Sequence, residues 1–574
     1  MTRVNVPILH RANETIKSFS VFERIVFYIL TIIFIGSSLM MIWRLNQEFL
    51  VTIPTYGGSI TEGIVGSPRF INPILALSDA DKDMTALIYS GLLKATPDGQ
   101  LINDLAKSWS VDDDGLIYTF TIKDNAKFHD GAEITTEDIE FTIQKAQDPY
   151  IKSPRASAWK GVTAKIIDKK TIEIITKEPY APFLENLTLG ILPKHLWKNI
   201  KAEEFPFSKI NTNPIGSGPY KVSKVKLNTT GLPTYYELRS FNDHASGKAF
   251  ISYIKVIFYQ NEKDLVTAYK KGDIGNIHGI SAKIADELKT AGAQLSQSTL
   301  PRTFGVFFNQ SEAPVLANKE VRQALDIVVD RDKIIREVLG GYGAPIFSPI
   351  PFSITGPQTN EITKNSASST TEIAKNILEK NGWKANESGI MEKKIGKQNV
   401  AISFTIATAD SPDLKLTADL LKAMWKEIGA EVDIKVFEYG DFNQNVVRPR
   451  KYDALLFGSV IGRDMDLYPF WHSSKRNDPG LNMALYTNIT ADKLLDEAKK
   501  TYDTKERAEK YLLFEQEIKK DVPAVFIYSP NFIYIIDKKI KNVDVSEITA
   551  PQERFLNISK WYINTDRVWK IFAQ

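Results

Sequence analysis

The 574-residue sequence contains no cysteine. This absence excludes disulfides, thiolate metal sites, cysteine nucleophiles and the lipid-modified cysteine that can anchor an exported protein. The six histidines are scattered and form no H-x-x-x-H pair, so a histidine-built metal site is not expected. The sequence therefore predicts neither a metal nor a cofactor.

The chain also has no large excess of positive or negative charge. The chain has 72 basic and 69 acidic residues, a net charge of +3, and no arginine-rich run, which gives no case for binding nucleic acid. Phosphate-binding loops, dinucleotide fingerprints, zinc-protease motifs and the G-x-S-x-G elbow do not occur. These absences favour a binding protein and predict that the chain is not an enzyme.

An uncharged and strongly apolar run spans residues 25–43. At ~1.5 Å per residue it would form about 28 Å of helix, close to the ~30 Å thickness of the membrane hydrocarbon core. Arg3, Arg11, Lys17 and Arg24 precede the run, whereas Arg44 alone carries positive charge in the twenty residues after it. This asymmetry predicts a single-pass anchor in the cytoplasmic membrane. Residues 1–24 would be cytoplasmic and the bulk of the chain extracytoplasmic.

A cleaved signal peptide is the alternative for the same run. Its apolar length exceeds the ~7–15 residues of a usual signal core, and residues 40–43 offer no A-x-A-like cleavage site. The sequence therefore favours a retained anchor.

The chain as a whole has the composition of a globular protein, with 43% hydrophobic and 25% charged residues. It exceeds the ~250–300 residues at which one core stops growing, so at least two lobes are expected. Alternation over 116–122 predicts a hairpin with the strand around Trp109. A helical stripe over 416–428 followed by alternation over 431–437 predicts a helix and then a strand. The Ser-, Thr- and Asn-rich stretch 360–371 predicts a surface loop. The architecture is mixed α/β.

One ordered set of short motifs resembles a known family, the family 5 extracellular solute-binding proteins, which are receptors of peptide-type ABC importers. Its signature is matched by Trp109, the turn Asp114-Gly115, the strand Tyr118-Thr119-Phe120, Phe128-His129-Asp130-Gly131 and Glu137-Asp138. Further matches follow in the family's order: Pro214-Ile-Gly-Ser-Gly-Pro-Tyr220, Phe307-Phe-Asn309, Val321-Arg-Gln-Ala-Leu325, Asp330-Arg-Asp-Lys-Ile334, Ala374-Lys-Asn-Ile-Leu378, Gly382-Trp383 and Asp521-Val-Pro523. The motifs identify a fold, and each has a structural role of its own. We expect Trp109, Tyr118 and Phe120 in the core and His129 as a structural hydrogen-bonding group.

The resemblance implies a two-lobe clamp with an extra inserted domain, preceded here by the membrane helix 25–43. Lobe I would comprise 52–88, 211–299 and 529–574, the inserted domain 89–210, and lobe II 300–528. Two connections, near 300–303 and 528–531, would act as the hinge, and a ligand bound between the lobes would close them.

The implied function is capture of a peptide or similar small polar solute for the permease subunits of an ABC importer. We expect a monomer. Alternatives are a tethered envelope-sensing or scaffold module that keeps the clamp fold, a binding protein for a non-peptide anionic solute, and an exported hydrolase.

The candidate ligand site follows the alternating run 452–457. Peptide receptors of the family often have a tryptophan here and, shortly after it, an aspartate that pairs with the peptide α-ammonium. This chain has Val460 or Ile461 near the position of the tryptophan. Arg463 falls on the aspartate, Asp464 lies one position later, and Asp466 matches the next acid.

Two ligand chemistries remain open at this point. If Asp464 pairs with the ligand, an amine still fits. If Arg463 faces the cleft, its planar fork favours a carboxylate or phosphate. An Arg463–Asp466 surface pair that touches no ligand is the alternative. Trp471 is predicted as an apolar wall, and Arg69 and Phe70 are predicted to approach from the other lobe.

Overall fold

The computed structural model describes residues 14–350 and 369–573. They form two compact units, residues 14–57 with 562–573, and Gly58–Trp561. Residues 52–57 and 562–573, which the sequence places in lobe I, thus group with the unit that contains the apolar run. Residues 1–13 of the predicted cytoplasmic segment and 360–368 of the predicted loop lie outside the described residues, and Thr370 and Thr371 begin a helix.

The smaller unit is built on one helix, Val21–Phe49, none of whose residues is buried. Ser20 caps it, accepting a hydrogen bond from the Glu23 amide while the Glu23 side chain accepts one from the Ser20 amide. The helix is long and apolar enough to cross a membrane, with a mean hydropathy of 2.5 over 18 residues. By length and composition, an N-terminal signal sequence would meet the same criterion. The unit also contains the paired strands Leu50–Pro54 and Thr565–Trp569 and a short 3-10 helix, Lys570–Phe572.

The larger unit is organised around a twelve-stranded sheet. Its main path runs through Glu431–Phe437, Ser403–Ala409, Ala454–Val460, Arg302–Phe308, Ala524–Ile536, Asn276–His278, Ser59–Val65, Tyr253–Tyr259, Pro233–Ser240 and Tyr220–Leu227. Gln294–Thr299 and Gly343–Pro345 pair with Ala524–Ile536 beside this path.

The strand Ala524–Ile536 belongs to both predicted lobes. Its residues 524–528 pair with Arg302–Phe308, and residues 531–536 pair with Gln294–Thr299. The chain therefore passes between the two groups of strands at 299–302 and again at 528–531.

Helices cover the two groups of strands. On the lobe I side they are Asp79–Ile88, Glu262–Lys271 and Ala282–Thr290, with 3-10 turns at Pro551–Phe555 and Ile558–Lys560. On the lobe II side they are Lys319–Ile327, Arg331–Leu339, Thr370–Lys380, Pro412–Glu427, Tyr439–Asp441, Tyr468–Trp471, Ile489–Lys500 and Thr504–Asp521, with 3-10 turns at Pro314–Ala317 and Ser473–Lys475 and a π-helical turn at Phe442–Val447. Lobe II also holds a small sheet of Lys384–Ala385, Met391–Ile395 and Gln398–Ala401.

Residues 89–210 carry sheets of their own. The strands are Leu93–Ala95 with Leu101–Asn103, and a four-stranded sheet of Ala106–Val111, Ile117–Ile122, Thr171–Ile175 and Thr163–Ile166. The helices are Thr136–Gln147, Phe183–Asn186 and Lys194–Trp197, with 3-10 turns at Ala202–Phe207 and Lys209–Asn211.

Most of the local elements predicted from the sequence are present in the structure. The hairpin is confirmed, with Trp109 opposite Phe120, and so are the helix Pro412–Glu427 and the strand Glu431–Phe437. Tyr118 and Phe120 are fully buried as expected. The prediction for Trp109 is wrong, because it lies on the edge strand of its sheet, stacks on Phe120 with ring centroids 6.0 Å apart, and remains 36% exposed.

His129 is confirmed as a structural group. Its Nδ1 accepts a hydrogen bond from the Gly216 amide (3.3 Å), and its Nε2 lies 3.0 Å from the Gly218 carbonyl oxygen. Burial lowers the pKa of His129 to about 4, so the neutral ring donates from Nε2 and accepts at Nδ1. Gly216 and Gly218 are needed here, since a Cβ at either position would lie within 2.6 Å of the Ile88 backbone. This contact fixes the end of helix Asp79–Ile88.

Candidate functional site

A cavity of about 670 Å³ lies where the predicted lobe I, the predicted inserted domain and one loop of the predicted lobe II meet. Its wall takes side chains from helix Asp79–Ile88, from residues 89–104 and 154–190, and from residues 549–559, together with Arg463. The volume is within the ~300–1,000 Å³ of small-ligand sites. The cavity is therefore large enough for a small ligand and is built from all three parts of the fold.

The cavity wall carries charges of both signs. Its acidic and basic residues, with its histidine, are Lys82, Lys94, Asp104, Arg155, Glu185, His244, Arg463 and Glu553. Lys94 Nζ lies 3.7 Å from Asp104 Oδ1. Burial lowers the pKa of Arg155, with the charge of Glu185 opposing the shift, and burial also lowers the pKa of His244. The wall thus offers cations, carboxylates and a neutral imidazole to a polar ligand.

Arg463 reaches across from lobe II to residues of lobe I. Its Nη2 lies 2.5 Å from Glu553 Oε2, and its Nη1 donates to the Glu547 carbonyl oxygen at 3.2 Å. The Arg463 side chain is only 7% exposed. Burial raises the pKa of Glu553, and the charge of Arg463 opposes that rise. This pair is therefore a desolvated contact between two lobes.

The backbone around Arg463 is held by the inserted domain. Glu185 accepts hydrogen bonds from the Arg463 amide (3.2 Å) and the Asp464 amide (3.5 Å). Gly462 permits this approach, because a Cβ there would lie 2.9 Å from Glu185 Oε2. We call Gly462, Arg463 and Asp464 the bridging loop, since its contacts join all three parts of the fold.

The side chains of Asp464 and Asp466 contact other residues of this chain. Asp464 Oδ1 lies 3.2 Å from Arg507 Nη2 within lobe II, and burial raises the pKa of Asp464 to about 6 although Arg507 opposes the shift. Asp466 accepts a hydrogen bond from the Tyr180 hydroxyl at 2.5 Å, and burial raises its pKa too. Neither residue lines the cavity. Among the candidate acids and Arg463, it is Arg463 that faces the cavity, and its partner is Glu553 rather than Asp466.

Trp471 lies in the core of lobe II. It is 3% exposed and packs against Phe307, Phe514 and Phe526, with ring centroids 5.7–6.4 Å apart. Its ring supports the strands beneath the bridging loop and does not line the cavity.

Arg69 and Phe70 lie just before the helix that lines the cavity. Their amides donate to Asp81 Oδ1 at 2.7 and 2.8 Å, and the Arg69 side chain points to solvent. Neither side chain lines the cavity. Their contribution is a backbone turn that fixes the start of helix Asp79–Ile88.

A buried ionic cluster holds the other side of the same helix. Arg554, 0% exposed, contacts Glu62 Oε1 at 3.0 Å and Asp83 oxygens at 2.7 and 2.8 Å. His278 Nε2 lies 3.1 Å from Asp83 Oδ2, and Tyr534 donates to Glu62 at 2.8 Å. Burial alone would raise the pKa of Asp83, but the charges of Arg554 and His278 outweigh it and lower the pKa to about 2. The cluster therefore ties the helix to three strands and to the segment that carries Glu553.

Sequence reasoning did not single out Glu185, Glu553, Lys82 or Arg155. Each is one charged residue among many, outside any periodic pattern, and Glu185 lies 278 positions before Arg463. The resemblance to peptide receptors, which places the candidate site after the run 452–457, is the signal that leads to the bridging loop.

A metal centre has no support in residues 14–350 and 369–573, where no group of three or more His, Cys, Asp or Glu side chains is placed to hold an ion.

A family model described as "Bacterial extracellular solute-binding proteins, family 5 Middle" matches residues 100–480. The oligopeptide-binding protein AppA of Bacillus subtilis (strain 168) is 28% identical over 522 residues, 89% of this chain and 92% of that protein. The nickel-binding protein NikA of Staphylococcus aureus is 24% identical over 462 residues, 79% of this chain and 86% of that protein.

The structural comparison agrees with these matches. The structure of B. subtilis AppA in complex with a nonapeptide superposes with a TM-score of 0.66 and 26% sequence identity, covering 89% of this chain and 100% of that one. The predicted fold class, a mixed α/β clamp of the binding-protein type, is confirmed by this match.

Proposed function

The chain belongs to the bacterial extracellular solute-binding proteins of family 5, and from that membership we propose that it captures a peptide for an ABC importer. The relatives are binding proteins, and the chain is not an enzyme. In the proposed cycle, a ligand enters between the lobes while they are apart, and the lobes close by rotation at 299–302 and 528–531. A permease in the membrane then receives the ligand.

The observation that carries this proposal is the bridging loop. Arg463 contacts Glu553 of lobe I, while the loop amides contact Glu185 of the inserted domain. These contacts require the lobes to be together, and the cavity lies directly beside them. A ligand that stabilises the closed arrangement shifts the population towards it by its differential affinity for that state.

The proposed cargo is a peptide with both of its ends charged. Lys82 and Arg155 offer positive charge to a carboxylate, and Glu185 offers negative charge to an ammonium group. Both signs in one cavity of about 670 Å³ suit a zwitterion better than a purely anionic solute. The nonapeptide bound by B. subtilis AppA gives the cargo class a precedent in a relative.

We further propose that residues 25–43 stay in the membrane and hold the binding unit on the outer face. Helix Val21–Phe49 supports this, because its apolar part is long enough to cross the hydrocarbon core and Arg24 stands at its inner end. Tethering would raise the effective concentration of the receptor near its permease.

Calorimetric titration of the full chain in lipid nanodiscs tests the proposed cargo. We expect a defined mixture of two- to nine-residue peptides to give saturable heat, with at least one peptide bound when the sample is recovered and analysed by mass spectrometry. A nickel–histidine complex and a peptide with both ends blocked serve as comparison ligands, and each should bind more weakly.

The other outcomes separate the alternative functions. Binding of the nickel complex or of inorganic anions alone would indicate a non-peptide solute. Absence of any binding would favour a sensing or scaffold module, and recovery of cleaved peptides would indicate a hydrolase.

A further inference from the structure

The segment after the binding unit returns to the apolar helix. Thr565–Trp569 pairs antiparallel with Leu50–Pro54, and the register places Trp569 opposite Leu50, the residue that follows the helix. Because the strands are antiparallel, the chain beyond Trp569 runs towards the helix and not away from it.

Two side-chain contacts fix this return. Trp569 Nε1 donates a hydrogen bond to Asn46 Oδ1 at 2.8 Å, and the Trp569 ring lies 6.5 Å from that of Phe49. Both partners belong to the last turn of helix Val21–Phe49. Residues 569–572 are therefore held beside the end of the helix.

These residues expose an unusual amount of apolar surface. Trp569, Ile571 and Phe572 are 48%, 72% and 71% exposed, next to a helix end that exposes Trp43, Leu45 and Phe49 by 60%, 44% and 55%. We call these six residues the apolar collar. Lys570 lies within it and is also exposed, which suits a side chain that extends its ammonium group towards water or lipid headgroups.

We propose that the apolar collar inserts into the headgroup–acyl boundary of the outer leaflet, so that the chain is held to the membrane at both of its connections to the binding unit. The inference rests on the proposed membrane span. Tryptophan and phenylalanine favour this layer. A helix that leaves the hydrocarbon core at Trp43 carries Asn46 and Phe49 about 5–9 Å further, at ~1.5 Å per residue. Trp569 contacts both residues, so it lies within about 10 Å of that level, and the chain after it runs back along the helix. Because the apolar collar continues directly from the proposed membrane span, its binding partner is the lipid of the same membrane.

The consequence is a second attachment of the chain to the membrane. Here the chain enters and leaves that unit through two hydrogen-bonded strands, Leu50–Pro54 and Thr565–Trp569, whose shared end is set in the membrane surface.

Single spin labels test the collar, since the chain has no cysteine of its own. Full-length Ile571→Cys, labelled and reconstituted in phosphatidylethanolamine–phosphatidylglycerol vesicles, should collide with oxygen more and with a water-soluble nickel chelate less than the control Asp566→Cys. Asp566 is exposed at the other end of the same strand, opposite Ile53. We expect the ratio of the two collision rates to be several times higher at position 571, and Phe572→Cys should reproduce it.

A third label, Ile33→Cys in the apolar run, separates the two claims. If Ile33 is embedded while positions 571 and 572 match Asp566, the collar proposal is overturned and the membrane span stands. If Ile33 itself is as accessible to the chelate as Asp566, the span is wrong and the collar with it. Shielding of position 571 from both reagents would indicate a protein contact instead of lipid, which also contradicts the proposal.

Discussion

Arg463→Ala should weaken peptide binding by roughly 30-fold or more. The substitution removes a desolvated charge partner, and such losses cost about 2–5 kcal/mol. Glu553, whose pKa burial already raises, would be left without its guanidinium when the lobes are together. The penalty therefore falls on the closed state, and calorimetric titration of the variant with the peptide that binds the parent measures it.

The matched control is Arg448→Ala in the same lobe. Arg448 lies 3.6 Å from Asp478 in a pair that is about half exposed on both sides, and exposed pairs contribute about 0–1 kcal/mol. Its affinity for peptide should equal that of the parent. Adding Glu553→Gln to Arg463→Ala should recover part of the loss, because the unpaired carboxylate is then gone. An Arg463→Ala variant that binds peptide like the parent would remove the bridging loop from the site.

Arg554→Ala should lower the free energy of unfolding by about 3–5 kcal/mol, the usual cost of removing one partner from a buried ion cluster. Two fully buried carboxylates, Glu62 and Asp83, would lose their guanidinium. With the folded pKa of Asp83 near 2 and the unfolded value near 3.8, its stabilising contribution is complete above about pH 5 and is lost as the pH falls through about 2. Urea unfolding at pH 7 therefore measures the full effect.

Two further variants keep this test interpretable if Arg554→Ala fails to fold. Combining Arg554→Ala with Glu62→Gln and Asp83→Asn should restore much of the lost stability, because no uncompensated charge remains buried. Arg336→Ala, at an exposed helical position, should change stability by less than about 0.5 kcal/mol. Equal unfolding midpoints for Arg554→Ala and Arg336→Ala would show that the cluster does not hold helix Asp79–Ile88.

Local elements with strong periodicity could be predicted from the sequence. The alternation around Tyr118 and Phe120 correctly predicted one face of a hairpin. The helix Pro412–Glu427 ends two residues before Gly429, the residue expected to end it. The arrangement of these elements in the fold was predicted from the ordered motifs. A hydrophobic pattern alone does not show which strands pair across 200 residues.

The site was harder to predict for a physical reason. Arg463 was found through its place in a motif, but its partners Glu553 and Glu185 lie 90 and 278 positions away, and ion pairs between distant residues leave no local pattern. Trp471 was identified in the sequence, but its role was predicted incorrectly as a wall of the site. An aromatic residue beside a loop suits either a binding wall or a core, and its burial among Phe307, Phe514 and Phe526 could be read only from the folded chain.

Capture of a ligand between the lobes is tested by the distance between spin labels at Lys226→Cys and Lys435→Cys in the full chain. Both positions are exposed, on the strands Tyr220–Leu227 and Glu431–Phe437 at opposite ends of the twelve-stranded sheet. Closure at 299–302 and 528–531 should convert a broad distribution in ligand-free protein into one shorter, narrower distance when the two- to nine-residue peptide mixture is added at saturation. A distribution that peptide leaves unchanged would contradict capture between the lobes.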